Sequence, residues 1–285
     1  MQLDIHRTLW GVTDDWSQIV TELSEAGCVG IEARVPLEDI SRRQLQQRLQ
    51  ADQLEYIAIL FSGGDVIPDQ SEGPEQHLQR LQSMLPKAAE LEPQLVNILP
   101  GNDRWSLSMQ VDFFGAAMEL AQQAGVRCLF ETHRATSLYS PWLTLELLAQ
   151  LPDMRFTADI SHWVLVAERL LDCEQDWQAM QPFIDRVDHI QARAGYAQGP
   201  QLPHPAAPEY ANELAFFEAF WQRVWASQQA RGFSKTTLTP EFGRDGYLHH
   251  LPFTDVPVAD LWQLNAWMAK RQRKQFDLWA ADAAC

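Results

Sequence analysis

The chain has few of the features that mark disulfide scaffolds, zinc ribbons or polyanion binders. Its four cysteines, Cys28, Cys128, Cys173 and Cys285, are scattered and form no CxxC pair, which excludes the common redox and zinc-ribbon spacings. Cys28 and Cys128 stand among apolar residues and read as reduced core thiols, so a cytoplasmic setting is expected. No apolar run reaches the roughly 18 residues of a membrane helix. The opening stretch MQLDIHRTLWGV carries charge at once and has no apolar segment of the signal-peptide kind. Lysine and arginine number 22 against 38 acidic residues, for a net charge of −16, and the one basic cluster is AKRQRK near the end. Such a surface repels phosphate backbones, so neither nucleic acid nor membrane is an expected partner. Glycine-rich phosphate-cradling loops are missing too, which leaves a phosphorylated ligand without support.

What is present is an ordered alternation. Hydrophobic residues make up 46% of the chain, the level of a globular protein. Eight β-rich runs recur: LDIHRTLWG, CVGIEARV, LEYIAILFS, LVNILPG, VRCLFETH, MRFTADISH, VDHIQARA and TTLTPEFG. Between them lie stretches such as DDWSQIVTELSEAG and MQVDFFGAAMELAQQAG, whose apolar residues return three and four apart. Gly27 and Gly125 follow two of these as expected helix stops. Eight such units in one chain predict an α/β fold, a single (β/α)8 TIM barrel over residues 1–285, since such barrels typically take ~250 residues. The rival is a doubly wound open sheet. Two long loops, at about 194–212 and 243–260, are rich in Pro, Gly and aromatic residues. Loops of that kind usually cover or build a site.

In a barrel the C-terminal strand ends converge on the active site. Strand five ends with Glu131 and His133, strand six with Asp159 and His162, and strand eight with Glu241. Strand seven carries His189, Gln191 and Arg193 at alternate positions, which points all three to one face. One carboxylate late in a strand is commonly solvated or ion-paired. Several at equal depth in an apolar mouth need a neutralising partner, and a divalent cation is a common one. Oxygen-rich donors suit Mg2+ or Mn2+, whereas imidazole tilts the choice towards Zn2+, Co2+ or Fe2+. His6 and Trp10 on strand one, Glu32 and Arg34 on strand two, and Asn102 and Asp103 after strand four also lie where substrate contacts gather. For Glu32 and Arg34 pairing with neighbours inside the barrel is the simpler reading. Tyr196 and Tyr247 sit in the long loops, and His249 and His250 read as exposed. Most of the eleven tryptophans have helical spacing and read as packing residues, with Trp10 or Trp163 a candidate for the pocket wall.

The order Glu on strand five, Asp-x-x-His on strand six, His-x-(His/Gln) on strand seven and Glu on strand eight resembles the xylose isomerase-like barrel superfamily. That group includes sugar-phosphate isomerases and epimerases, ketose 3-epimerases, hydroxypyruvate isomerase, inosose dehydratase and, more distantly, endonuclease IV. The resemblance implies one divalent cation held by Glu131, Asp159, Gln191 and Glu241, with His189 as the alternative to Gln191. The glutamine form of strand seven is similar to that of hydroxypyruvate isomerase and favours Mn2+ or Mg2+, with Zn2+ or Co2+ as alternatives. It further implies an isomerase or epimerase of a small sugar or hydroxy-carbonyl compound, working by proton transfer through a metal-bound enediolate with Glu131 and Glu241 as acid and base. Under the same resemblance His162 holds a substrate oxygen and Arg193 stabilises negative charge on the substrate. His133 is read as a substrate contact or a plain hydrogen-bonding residue of the mouth. Arg193 departs from the epimerase pattern, where the arginine comes several residues after the strand-seven ligand, so a structural ion pair stays open for it. A dehydratase on the same scaffold and a non-catalytic binding barrel are the alternatives. DNA repair of the endonuclease IV kind is disfavoured by the −16 charge and the sparse histidines. The apolar stripe of VADLWQLNAWM suggests a homodimer contact.

Overall fold

The computed structural model describes residues 1–13, 15–244 and 246–283; Cys285 lies outside them. The eight expected strands form as β1 (Gln2–Thr8), β2 (Gly30–Arg34), β3 (Glu55–Phe61), β4 (Leu95–Leu99), β5 (Cys128–Glu131), β6 (Phe156–Ala158), β7 (Val187–Gln191) and β8 (Lys235–Thr239). Every neighbouring pair is parallel, and β8 returns to β1, so the sheet closes as a barrel in chain order. An open doubly wound sheet is thereby excluded. The intervening helices are α1 (Trp16–Ala26), α2 (Asp39–Ala51), α3 (Pro74–Ala89), α4 (Leu107–Ala124), α5 (Pro141–Gln150), α6 (Ser161–Ala167), α7 (Glu174–Ile184), α8 (Ala211–Ala230) and α9 (Leu261–Asp282).

Local chemistry sets these boundaries. The Asp15 carboxylate accepts from the Gln18 backbone N–H at the start of α1, and Asp260 does the same for Gln263 at α9, satisfying amides that a helix start leaves free. Gly27 and Gly125 end α1 and α4 at φ 68°, in the left-handed region that glycine enters without a Cβ penalty. The main core lies between barrel and helices, where Ile98, Phe130, Phe156 and Ile190 meet Phe113, Phe183, Phe217 and Trp221. Trp163, Trp221 and Trp225 are fully buried there. Trp163 donates its indole N–H to the Leu138 carbonyl and does not line the cavity. Ile57, Leu95 and Leu129 form a small buried cluster of their own. They alternate along β3, β4 and β5 with residues that pack outward.

Two local features differ from the sequence reading. β6 stops at Ala158, with an irregular register at Phe156/Thr157. Asp159 therefore begins the turn after the strand, and His162 is the second residue of α6. The Asp159 carboxylate accepts from the Ser161 N–H and hydroxyl, an Asx-type turn that ends the strand. Cys28 and Cys128 are free and half-buried rather than fully inside, and burial pushes both thiols up to about 12. Among the described residues no helix is long and apolar enough to cross a membrane.

Candidate metal centre and substrate cavity

Glu131 is the last residue of β5, Asp159 follows β6 directly, and Glu241 stands two residues beyond β8. Their strand ends bring one oxygen of each within 4.8 Å of the others, and all three side chains are buried. Each is held differently. The Asn97 amide of β4 donates to Glu131. Ser161 holds one oxygen of Asp159, and the Arg193 guanidinium bonds the other. Glu241 lies 3.4 Å from Arg193, and its Oε2 has no hydrogen-bond partner. Three carboxyl groups thus face one guanidinium, a formal excess of two negative charges if all are ionised.

That excess governs their acidity. Burial, with Glu241, Asp159 and Glu32 nearby, holds Glu131 well above the usual carboxylate range. Burial raises Glu241 to about 8, with the Arg193 charge pulling the other way. Asp159 is raised by burial and partly restored by Arg193 and Ser161. Like charges that cannot all ionise together take up protons or bind a cation. The donor set therefore fits a divalent ion, which would cancel the excess of two.

Strand seven contributes a neighbouring network. The Gln191 amide donates to Glu32, while its carbonyl oxygen is buried without a partner. Gln191 ends the strand between those that lead to Asp159 and Glu241. His189 has both ring nitrogens engaged, Nδ1 with the Thr237 hydroxyl at 2.8 Å and Nε2 with Glu32 at 3.3 Å. Burial lowers its pKa, opposed by Glu32. Glu32 indeed pairs inside the barrel. Arg34 does not: it stacks on the Phe61 ring, with the guanidinium carbon 4.2 Å from the ring centre, and meets Asp65 at the surface.

Above the carboxylates opens a cavity of about 390 Å³ whose walls include Glu131, His133, Arg193, Glu241, Trp10 and Tyr247. His133 donates its Nδ1–H to the Arg134 carbonyl, which leaves Nε2 as an acceptor 3.4 Å from the Tyr247 hydroxyl. Burial pushes its pKa down to about 3, so the ring stays neutral. His162 is buried behind this wall. Its ring lies 3.8 Å from that of His133, its Nε2 accepts from Arg193, and burial holds its pKa far below normal. Trp10 meets Tyr247 edge-on at 5.1 Å and packs over Gly243.

Several expected contacts lie elsewhere. His6 does not line the cavity. Barrel register pairs it with Gly30, which pairs with Glu55 at the start of β3, and its Nε2 faces Glu55 at 3.5 Å. It sits too deep along β1 to reach the mouth. Asn102 ties loops together through Ser137 and Asp69, and neither it nor Asp103 is a wall residue. Tyr196 packs on Tyr210 and His249 rather than on the cavity. His249 is half-buried, with Nε2 donating to the Gln201 carbonyl, whereas His250 is exposed. Sequence reading passed over Asn97 and Ser161, which hold two of the carboxylates. The D-x-S spacing of Asp159 and Ser161 was a readable turn signal; Asn97, in an apolar run, gave none.

Comparison with known proteins adds a family. The model of the xylose isomerase-like TIM barrel family matches residues 20–208, about two thirds of the chain. No curated protein matches the chain. Among solved structures it is similar to the probable 3-DHS dehydratase AsbF of Bacillus anthracis, at 16% identity and TM-score 0.60 over 96% of this chain and 99% of that one. It is likewise similar to the 3-keto-D-glucoside 4-epimerase YcjR of E. coli, at 12% identity and TM-score 0.60 over 96% and 100%. A third is a xylose isomerase-like TIM barrel protein of Mycobacterium smegmatis in complex with magnesium, at 10% identity and TM-score 0.62 over 95% and 97%. At these identities the structural likeness speaks for the fold. With the barrel closed in chain order and the family model spanning six of its eight strands, the chain belongs to the xylose isomerase-like TIM barrel family.

Proposed function

We propose that this protein is a divalent-metal-dependent isomerase or epimerase of a small sugar or hydroxy-carbonyl compound. The observation that carries the reading is the buried trio Glu131, Asp159 and Glu241 with a single guanidinium to balance it. The unpartnered Gln191 carbonyl makes a fourth oxygen donor available. Four oxygen donors suit Mn2+ or Mg2+ better than Zn2+. When bound, the cation supplies a Lewis acid that polarises a carbonyl and its adjacent hydroxyl. His189, occupied by Thr237 and Glu32, serves as a brace beneath the donors.

The chain's own groups do the rest. Glu131 and Glu241 both reach the cavity, from strands three apart around the barrel. One removes the proton from the carbon beside the carbonyl. Return of a proton to the opposite face gives an epimer, and return to the neighbouring carbon gives an isomer. Arg193 and the Tyr247 hydroxyl stabilise negative charge on substrate oxygen, and neutral His133 offers an acceptor to a substrate hydroxyl. Trp10 and Tyr247 shield the reacting carbon from water. His162 acts through Arg193 by fixing its guanidinium, and His6 is left out of the substrate contacts. The partner is a small molecule, neither nucleic acid nor membrane, in a cytoplasmic protein; a homodimer contact through α9 belongs to the same proposal.

Two measurements test it. Purified protein should bind about one Mn2+ per chain, and Glu241→Gln should weaken that binding at least ten-fold; no uptake would remove the centre as drawn. The loaded protein should exchange a carbon-bound hydrogen of at least one ketose or hydroxy-carbonyl acid with solvent deuterium. Water loss from substrate without isomerisation would instead establish a dehydratase, the second reading, in keeping with the likeness to a probable dehydratase.

A further inference from the structure

The cavity is divided between two chemistries. Everything catalytic comes from the β5–β8 side. The β1–β4 side is walled by Leu9, Ala33, Ile59, Phe61, Val66 and Leu99. Among the described residues, only Arg34 and Trp10 bring a side-chain hydrogen-bonding group to that half. A hydroxyl pressed against this wall would leave water and gain no side-chain partner, which costs on the order of ten-fold in binding for each such group. A polyhydroxylated chain filling the cavity would meet that cost repeatedly, whereas a ring or alkyl body would gain from the same contacts.

The charges at the rim point the same way. Arg34 sits at the mouth with its side chain 56% exposed, and Asp65, its ion partner among the described residues, is more exposed still. Such a surface pair exchanges at little cost. Arg134 lies over the Tyr247 ring at 5.0 Å, and Arg244 bonds the Gly11 carbonyl at 3.2 Å. Tyr247 and Gly11 are both wall residues. In a chain of net charge −16, Arg34 thus lines this opening and the other two arginines touch its wall residues, a local positive bias that favours anions against the overall repulsion.

We propose that the substrate is an amphipathic hydroxy-carbonyl acid: its hydroxy-carbonyl group meets the carboxylate side, its apolar body lies on Leu9, Ile59, Phe61 and Leu99, and its carboxylate reaches Arg34. This rests on the metal-centre reading above and narrows it away from free sugars. Arg34 and Phe61 are then the specificity-determining pair, a fork for the carboxylate set on the face of an apolar ring.

Three hydroxamates with one chelating head and different bodies test it by calorimetry on Mn2+-loaded full-length protein: benzohydroxamate, 4-carboxybenzohydroxamate and D-threonohydroxamate. The carboxylated ring should bind about ten-fold tighter than benzohydroxamate, and the polyhydroxylated compound about ten-fold weaker or worse. Arg34→Gln, at a half-exposed position, should abolish the first preference and keep the second. Equal binding of the sugar-like and ring compounds, or an acid preference that survives Arg34→Gln, overturns the inference and leaves the metal centre intact. Failure to take up Mn2+ at all overturns the metal centre, and the inference with it.

Discussion

Metal binding at the carboxylate trio should release protons, and the number can be anticipated. Glu241 is raised to about 8 by burial, so at pH 7 it is roughly nine-tenths protonated in the metal-free protein. Glu131 is raised as well, by burial and by the charges of Glu241, Asp159 and Glu32. A cation needs these oxygens ionised, so each displaced proton adds about ten-fold to the apparent Mn2+ affinity per pH unit. Between pH 6 and 8 the affinity should climb about ten-fold per unit from Glu241 alone, and up to about a hundred-fold if Glu131 also releases its proton. Above pH 8 the Glu241 contribution should flatten. Titration calorimetry in buffers of different ionisation enthalpy counts the protons directly, and Glu241→Gln should lower the count by one. The same linkage acts on stability. The folded Glu241 keeps its proton up to about pH 8 and the unfolded one loses it near 4.5, so the folded state binds more protons across that window. The metal-free protein therefore loses stability as pH rises through it, by roughly 5 kcal/mol over the whole interval, and Mn2+ reverses the loss. An affinity that stays flat from pH 6 to 8, with no buffer-dependent heat, would refute the placement of the cation at these carboxylates.

Arg193→Leu strips Asp159 of its buried partner, so the metal-free variant should lose about 3–5 kcal/mol in denaturant melts, with Mn2+ restoring part of it. Gly243→Ala would set a Cβ 1.9 Å from the Trp10 ring and push the indole into the cavity. Benzohydroxamate binding should weaken at least ten-fold, with about 1–3 kcal/mol of stability lost. Burial lowers His77 to about 4, so the unfolded chain takes up its proton first as pH falls from 6.5. Wild type should lose up to roughly 3 kcal/mol relative to His77→Gln between pH 6.5 and 4, read from urea midpoints; equal midpoints across that range would contradict a neutral buried His77.

Periodicity carried most of the fold. Each of the eight β-rich runs contains its strand, to within one residue at the start, because a fully covered parallel barrel demands near-continuous apolar runs and short helices between them. Depth was less legible than face. Alternation puts His189, Gln191 and Arg193 on one side of strand seven, but their height depends on stagger between strands, which no single run of residues reveals. His6 shows the same limit: its strand and face were readable, while its pairing through Gly30 to Glu55 came only with barrel closure. Glu32 was readable as an inward residue, yet its bonds to His189 and Gln191 join positions more than 150 apart in the chain. The apolar half of the cavity was hidden for a different reason. Leu9, Ile59 and Leu99 look like any core residue, and only barrel closure shows that they line an open cavity at the mouth.

Arg193 is where the two sequence readings of one residue meet. An ion pair and a substrate contact were alternatives for it, yet its guanidinium lines the cavity while bonding Asp159. A purely structural network would be expected to approach neutrality, since buried charge left unmatched is costly. Here one arginine faces three carboxylates, and its Nη1 is buried without a hydrogen-bond partner. The uncompensated negative charge and the residue with the unused donor share one wall of the cavity. An imbalance of that kind is what the proposed cation and anionic substrate would resolve, and a barrel whose strand ends merely satisfied one another would not carry it.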